Sequence, residues 1–97
     1  MTAYVINDME VTDAVAFEQY RKLSPPTVAQ YGGRFLARGG ATRTIEGVWS
    51  PKRLVILEFA SVERAQAWLD SPEYAPARAL RQACTRSNLI LTEGITP

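Results

Sequence analysis

Arg53-Leu54-Val55-Ile56-Leu57-Glu58-Phe59-Ala60-Ser61 is the stretch on which the fold turns. Leu54 to Leu57 run without a polar break. That length and content predict a strand, and apolarity at both parities predicts a central strand covered on both faces. Ser61 follows as a helix N-cap, with Glu63 in the first turn where the helix dipole favours a negative charge. Val62, Ala65, Trp68 and Leu69 recur at three- and four-residue spacing, the buried stripe of a helix. Ser71-Pro72 breaks that helix. It resumes with Glu73 in a new first turn and with Tyr74, Ala77, Leu80 and Cys84 on one face. Pro76 falls near the start, where it is least costly. Leu89-Ile90-Leu91 predicts the last strand, and residues 94–97 a tail.

The N-terminal half has the same order. Residues 3–9 predict a strand around Val5 and Ile6. Thr12 or Asp13 offers an N-cap, and Ala16, Phe17, Tyr20 and Leu23 form an apolar stripe. Ser24-Pro25 predicts a break, since Pro suits a first helical position. Val28 and Tyr31 continue the face until Gly32-Gly33 stops it. Arg34 to Arg38 predicts a strand, with a bulge at Gly39-Gly40 and a resumption over 41–45. Residues 46–51 form a hairpin-like connection. Strand–helix–strand, twice, is an α+β fold: a ferredoxin-like β-α-β-β-α-β sandwich, with a four-stranded antiparallel sheet and helices on one face. With no linker or low-complexity segment, residues 1–97 read as one domain.

A chain of 97 residues buries roughly 60–65% of its unfolded surface, one modest core that an oligomer interface often supplements. No apolar run approaches the ~20 residues of a membrane span. The first residues lack the basic and apolar regions of a secretory signal. Cys84 is the single cysteine, so no intrachain disulfide forms, which fits a cytoplasmic location. Net charge is +1, with the signs interspersed, which argues against nucleic acid and membrane partners. Nine of the 11 basic residues are Arg. Composition bias explains that, as does bidentate binding of a carboxylate or phosphate.

Histidine is absent. Haem ligation through His, zinc sites built on His or several Cys, and Ser-His-Asp or Cys-His nucleophiles are thereby excluded. No phosphate-cradling glycine motif is present. The expectation is a protein without metal or cofactor. Strand 53–59 has no aromatic before Phe59 on which to stack bases, a further argument against RNA.

Tyr31-Gly-Gly-Arg-Phe-Leu-Ala-Arg-Gly-Gly40, Trp68-Leu-Asp-Ser-Pro-Glu-Tyr74 and Ala77-Arg-Ala-Leu-Arg81 carry a family likeness. Together they resemble the domain-of-unknown-function family 1330, over nearly the whole chain. The resemblance implies a dimeric α/β barrel, in which two ferredoxin-like sheets pair face to face. It implies no agreed activity. The wider superfamily includes cofactor-free monooxygenases, haem-degrading enzymes and stress-responsive proteins. The residues point to pairing independently: helices cover one face of strand 53–59, and a second copy is the simplest cover for the other.

Glu58 and Arg38 are the first candidates for chemistry. Counting back from the hairpin brings Arg38 within a residue or two of Glu58. A carboxylate after four apolar residues needs a partner, and Arg is the natural one. The pair is either a satisfied ion pair or a pocket in which Arg38 receives an anion and Glu58 handles a proton. Asp8 ends the first strand. With that strand parallel beside 53–59, Asp8 and Glu58 could approach, which would raise one pKa and make a general acid; otherwise Asp8 is solvated. Tyr20, Tyr31 and Tyr74 sit on apolar helix faces as core residues with edge hydroxyls. Tyr20 is also a candidate binding residue. Tyr74 follows the Ser71-Pro72 break, where free helix N–H groups could meet an anion, with Arg78 one turn on. Trp49 in its hairpin reads as a dimer contact, and Cys84 as a small buried hydrophobe. Two functions fit: a cofactor-free protein or enzyme that takes a small anionic or aromatic metabolite, or a non-catalytic dimeric ligand-binding or stress-associated module.

Overall fold

The computed structural model describes residues 1–95; of the expected tail, residues 96 and 97 lie outside the described residues. The elements run β1 (Ala3–Val11), α1 (Ala14–Gln30), β2 (Arg34–Arg38), β3 (Leu54–Phe59), α2 (Val62–Leu69), α3 (Ala75–Cys84) and β4 (Thr85–Glu93). The strands form one antiparallel sheet in the order β2-β3-β1-β4. This is the expected α+β, ferredoxin-like arrangement, with its second helix divided at Ser71-Pro72.

Parity sorts the sheet residues. Val5, Asn7 and Met9 of β1 and Val55, Leu57 and Phe59 of β3 are buried under the helices. Tyr4, Ile6, Leu54 and Ile56 are only half-buried, on the opposite face. The two-sided apolarity of 54–57 is therefore real, and the helices cover one side of it. At the centre of the core, the Trp68 ring lies 4.1 Å from Tyr74 and 5.4 Å from Phe59, centroid to centroid. Asp13 caps α1 through Ala16 N–H, and Ser61 caps α2 through Arg64 N–H. Gly33 is required by close approach: a Cβ there would sit 2.5 Å from the Phe59 ring.

Four local expectations change. First, α1 is continuous through Pro25 and Pro26. Pro25 has no N–H for the carbonyl of Arg21 four residues back, a defect that costs about 3 kcal/mol in an isolated helix. The Arg38 guanidinium donates to that carbonyl at 3.2 Å and fills the gap. One turn on, the Thr27 hydroxyl donates to the Ser24 carbonyl and accepts from the Trp68 indole, so tertiary contacts hold the helix together.

Second, the bulge lies before Arg38, not after it. Arg34 opposes Glu58 and Phe35 opposes Leu57, but Ala37 opposes Ile56 and Arg38 opposes Val55. Leu36 is the extra residue. The expected pairing of Arg38 with Glu58 does not form. Arg34 takes Glu58 instead, Nε to Oε1 2.8 Å, with side chains 69% and 25% exposed. A bridge that open contributes little to stability.

Third, β1 runs antiparallel to β3. Tyr4 opposes Glu58 and Asp8 opposes Leu54, so Asp8 and Glu58 lie at opposite ends of the pair and share no proton. A right-handed strand–helix–strand crossover sets β1 and β2 parallel, and β3 returns between them in the other sense.

Fourth, residues 41–45 form no strand, and β4 is longer than residues 89–91. Gly39, at φ +72, donates to the Leu54 carbonyl and turns the chain out of the sheet. The loop that follows is held by Asp8, which accepts the Trp49 indole N–H at 2.8 Å and the Lys52 N–H at 3.0 Å. Asp8 is an anchor rather than a solvated strand end. Replacing it with Ala removes both bonds, a loss of about 1–3 kcal/mol. Asp8→Ala should become sensitive to protease between residues 41 and 52 while its sheet stays folded by circular dichroism. Unchanged digestion would show that other contacts hold the loop.

Candidate functional site

The sheet's buried face does not pack flush against α1. A narrow cavity lies between them, about 30 Å³ within and open to solvent at its mouth. Its wall is mainly apolar, from Val5, Met9, Phe17, Phe35, Leu57 and Leu89. Four arginines also face it, Arg21, Arg38, Arg53 and Arg81, and no Asp or Glu does.

The bulge at Leu36 places Arg38 here. A one-residue slip exchanges the two faces of a strand. Without the extra residue, Arg38 would share the face of Arg34, away from the helices. With it, Arg38 turns under α1, spans the Arg21 carbonyl and lies 4.5 Å over the Phe35 ring. Arg53 stands 5.2 Å over the Phe17 ring, and its side chain fills the space above Gly39, where any Cβ would collide with it. Burial, then the neighbouring Arg21 and Arg38, lower the Arg53 pKa from its ordinary value. Its Nε is buried without a partner among the described residues. Arg21 has one, Glu18, which lies outside the cavity.

At the β4 side, Tyr20 and Tyr74 share a hydroxyl–hydroxyl bond of 2.8 Å, and Arg81 Nε donates to the Tyr74 oxygen at 3.2 Å. Burial, followed by the Tyr74 contact, pushes the Tyr20 pKa well above the usual tyrosine range. Between the two ends, on β1, Asn7 is buried and its side-chain oxygen has no partner among the described residues. Such a chain of neutral hydroxyls ending on a guanidinium can hold a negatively charged oxygen or donate a hydrogen bond to one.

Of the residues singled out in the sequence, Tyr20, Tyr74 and Arg38 meet in this cavity. Arg78 does not join them. Its Nη1 donates to the Leu69 carbonyl at 2.8 Å and to Asp70 at 3.1 Å, closing the end of α2. Nor is the start of α3 an anion cradle, because the Ser71 hydroxyl already accepts the Tyr74 N–H and the Tyr74 ring is buried. Glu58 and Asp8 lie on the other face of the sheet, so neither can pass a proton to a group in the cavity. Cys84 is buried, and burial raises its thiol pKa.

Arg81, Arg53 and Asn7 were not singled out. For Arg81 a signal existed: it lies seven residues after Tyr74 and four after Ala77, on the stripe that is buried. For Asn7 the alternation of β1 was the signal, since it shares parity with Val5 and Met9.

Tyr20's raised pKa has a sign that can be tested. Its stabilising effect is complete below pH about 10, where unfolded tyrosine keeps its proton, and is lost as pH rises through the higher folded value. Absorbance titration should show a tyrosine ionising late, together with falling stability above pH about 10. Tyr20→Phe should remove that component; an unchanged titration curve would place the hydroxyl in contact with water.

Comparison with known proteins agrees with the fold. A protein of unknown function from Rhodopseudomonas palustris superposes with a TM-score of 0.79 at 22% identity, over 99% of this chain and 84% of its own. A cofactor-independent oxygenase from Streptomyces nogalater superposes with a TM-score of 0.59 at 15% identity, over 99% of this chain and 95% of its own. At those identities the likeness is one of fold. No curated protein matches the chain. The model of the domain of unknown function DUF1330 matches residues 2–95, and the chain belongs to that family.

Proposed function

We propose that the cavity binds a small organic anion with an apolar or aromatic body. The observation that carries this is the set of four arginines facing one cavity without a carboxylate among them. Arg21 and Arg38 stay exposed, but Arg53 is partly and Arg81 almost fully withdrawn from water, which is costly for a cation unless an opposite charge meets it. Arg is also the residue whose planar fork fits a carboxylate. Arg38 and Arg53 receive the anion, the apolar wall takes the body, and Tyr20 and Tyr74 face it from the far side. The likeness to a cofactor-independent oxygenase supports extending the reading to cofactor-free chemistry on the bound molecule. Binding alone accounts equally for the residues present. A cytoplasmic setting fits the free, buried Cys84.

The same proposal includes a homodimer built through the sheet faces. Tyr4, Ile6, Leu54 and Ile56 are half-buried, and Ile90 is exposed beside them. Trp49, tied to Asp8, stands at the rim of this apolar patch. A two-fold axis would lay the patch on its own copy. No helix among the described residues is long and apolar enough to cross a membrane, and the lack of any one-sign charge block argues against nucleic acid as a partner.

Thermal shift with benzoate, benzyl alcohol and benzylamine tests the ligand class. Ligand at about ten times its Kd stabilises by about 1.4 kcal/mol, a rise of roughly 5–10 °C in Tm for a domain of this size. Benzoate should shift the melt with or without chelator, and Arg38→Gln and Arg53→Gln should each weaken the shift. A response to the neutral or cationic compound alone would sink the reading.

Sedimentation equilibrium at micromolar concentration tests the assembly. The expected species is a dimer, with Ile56→Glu a monomer. A wild-type monomer would remove the barrel from the proposal while leaving the cavity's anion site standing.

A further inference from the structure

The two ends of the cavity are not equivalent, and the β4 end has requirements of its own. Arg81 lies on the buried stripe of α3 and is 5% exposed. The single hydrogen bond of its guanidinium runs from Nε to the Tyr74 hydroxyl. Among the described residues no Asp or Glu reaches it, and its two Nη nitrogens, which reach solvent, make no hydrogen bond to the protein. Arg78, one turn earlier, differs in each respect: it is only partly buried and is satisfied by Asp70 and the Leu69 carbonyl. Arg81 is therefore the more deeply buried cation and the one without a counter-charge.

Topology separates it from the other arginines. Arg38 and Arg53 stand at the β2 and β3 side of the sheet. Arg81, with Tyr74 and Leu89, stands at the β4 side, with β1 between. Asn7 occupies that middle strand, 4% exposed, opposite both Val55 and Leu89. Its side chain makes no hydrogen bond among the described residues. A fully neutral ligand body would leave Arg81 without a counter-charge. A single anionic group placed at Arg38 and Arg53 would do the same.

We infer that the ligand is a slender dianion, with one acidic group on Arg38 and Arg53 and a second on Arg81, its apolar body crossing Asn7 between them. This rests on the anion-binding reading of the cavity and adds the second charge and the orientation. Arg81's free Nη pair presents the parallel donors that a carboxylate accepts. Tyr74, bonded to Nε, keeps the guanidinium plane from rotating. Tyr20 behind it keeps the Tyr74 hydroxyl in place.

Isothermal titration with matched probes tests this: benzoate against terephthalate, and hexanoate against adipate. Each dianion should bind at least tenfold more tightly than its monoanion. Arg81→Met should erase that difference and leave the monoanion affinity within about twofold, because the first acidic group still meets Arg38 and Arg53. Arg81→Met should also melt no lower than the parent when ligand-free, since it removes an unpaired buried charge. Should that variant fail to fold, Tyr74→Phe serves in its place; it keeps the charge, frees the guanidinium plane and should lower the dianion preference. Equal affinity for monoanion and dianion in the wild-type protein overturns the inference but not the site. Binding of neither class overturns both.

Discussion

One extra residue in β2 decides where the positive charge of this protein goes. Leu36 has no partner on β3, so the strand slips by one position and Arg38 turns from the open face to the helix face. A second irregularity meets it there. Pro25 deprives the Arg21 carbonyl of its helical donor, and Arg38 supplies one. A proline in mid-helix leaves an acceptor empty, and the bulged strand brings a guanidinium donor beside it. Each satisfies the other. The cavity mouth is the place where the two meet, and the position of Arg38 there is fixed by backbone geometry on both sides.

That arrangement gathers four cations at one cavity, with Arg21 and Arg38 exposed, Arg53 partly buried and Arg81 almost fully so. Arg21 and Arg38 crowd Arg53, and Arg81 is buried with a tyrosine as its nearest polar neighbour. A small domain has only about 5–15 kcal/mol of net stability, so unmatched buried charge is a substantial fraction of it. The core offsets this with the Phe59–Trp68–Tyr74 aromatic group, the Trp68–Thr27 bond and well-capped helices. Sites that hold charge ready for a ligand commonly cost stability in this way.

Much of the fold was legible because it rests on periodicity. The run Leu54–Leu57, the Ser61 cap, the Ser71-Pro72 break and the double strand–helix–strand order are local patterns, and local patterns survive folding. What failed depended on tertiary partners. Ser24-Pro25 reads like Ser71-Pro72, yet the first pair lies inside a helix because Arg38, far along the chain, repairs it. Gly39-Gly40 predicts the bulge by its glycines, whereas Leu36, where it lies, bears no mark of it. A one-position error there was enough to pair Arg38 with Glu58 in place of Arg34. Arg38, Tyr20 and Tyr74 were visible as polar groups on apolar faces. Arg81 is hidden from such a reading because a charged residue on a buried stripe contradicts the apolar periodicity that defines the stripe.

The antiparallel placement of β1 also shapes how the chain reaches this structure. β1 precedes every other element and β4 follows them all, yet they pair along their full lengths, from Ala3 with Glu93 to Val11 with Thr85. Until β4 docks, the long inner strand of the sheet has an unpaired edge, with Val5 and Met9 beside it. Pairings between such distant segments slow folding, and an open apolar edge can recruit a neighbouring chain. The polar residues of β4, Arg86, Ser87 and Asn88, oppose the Asp8–Glu10 end of β1 and cover that edge once they dock. The order of the elements thus leaves a period of vulnerability that ends when the last strand docks.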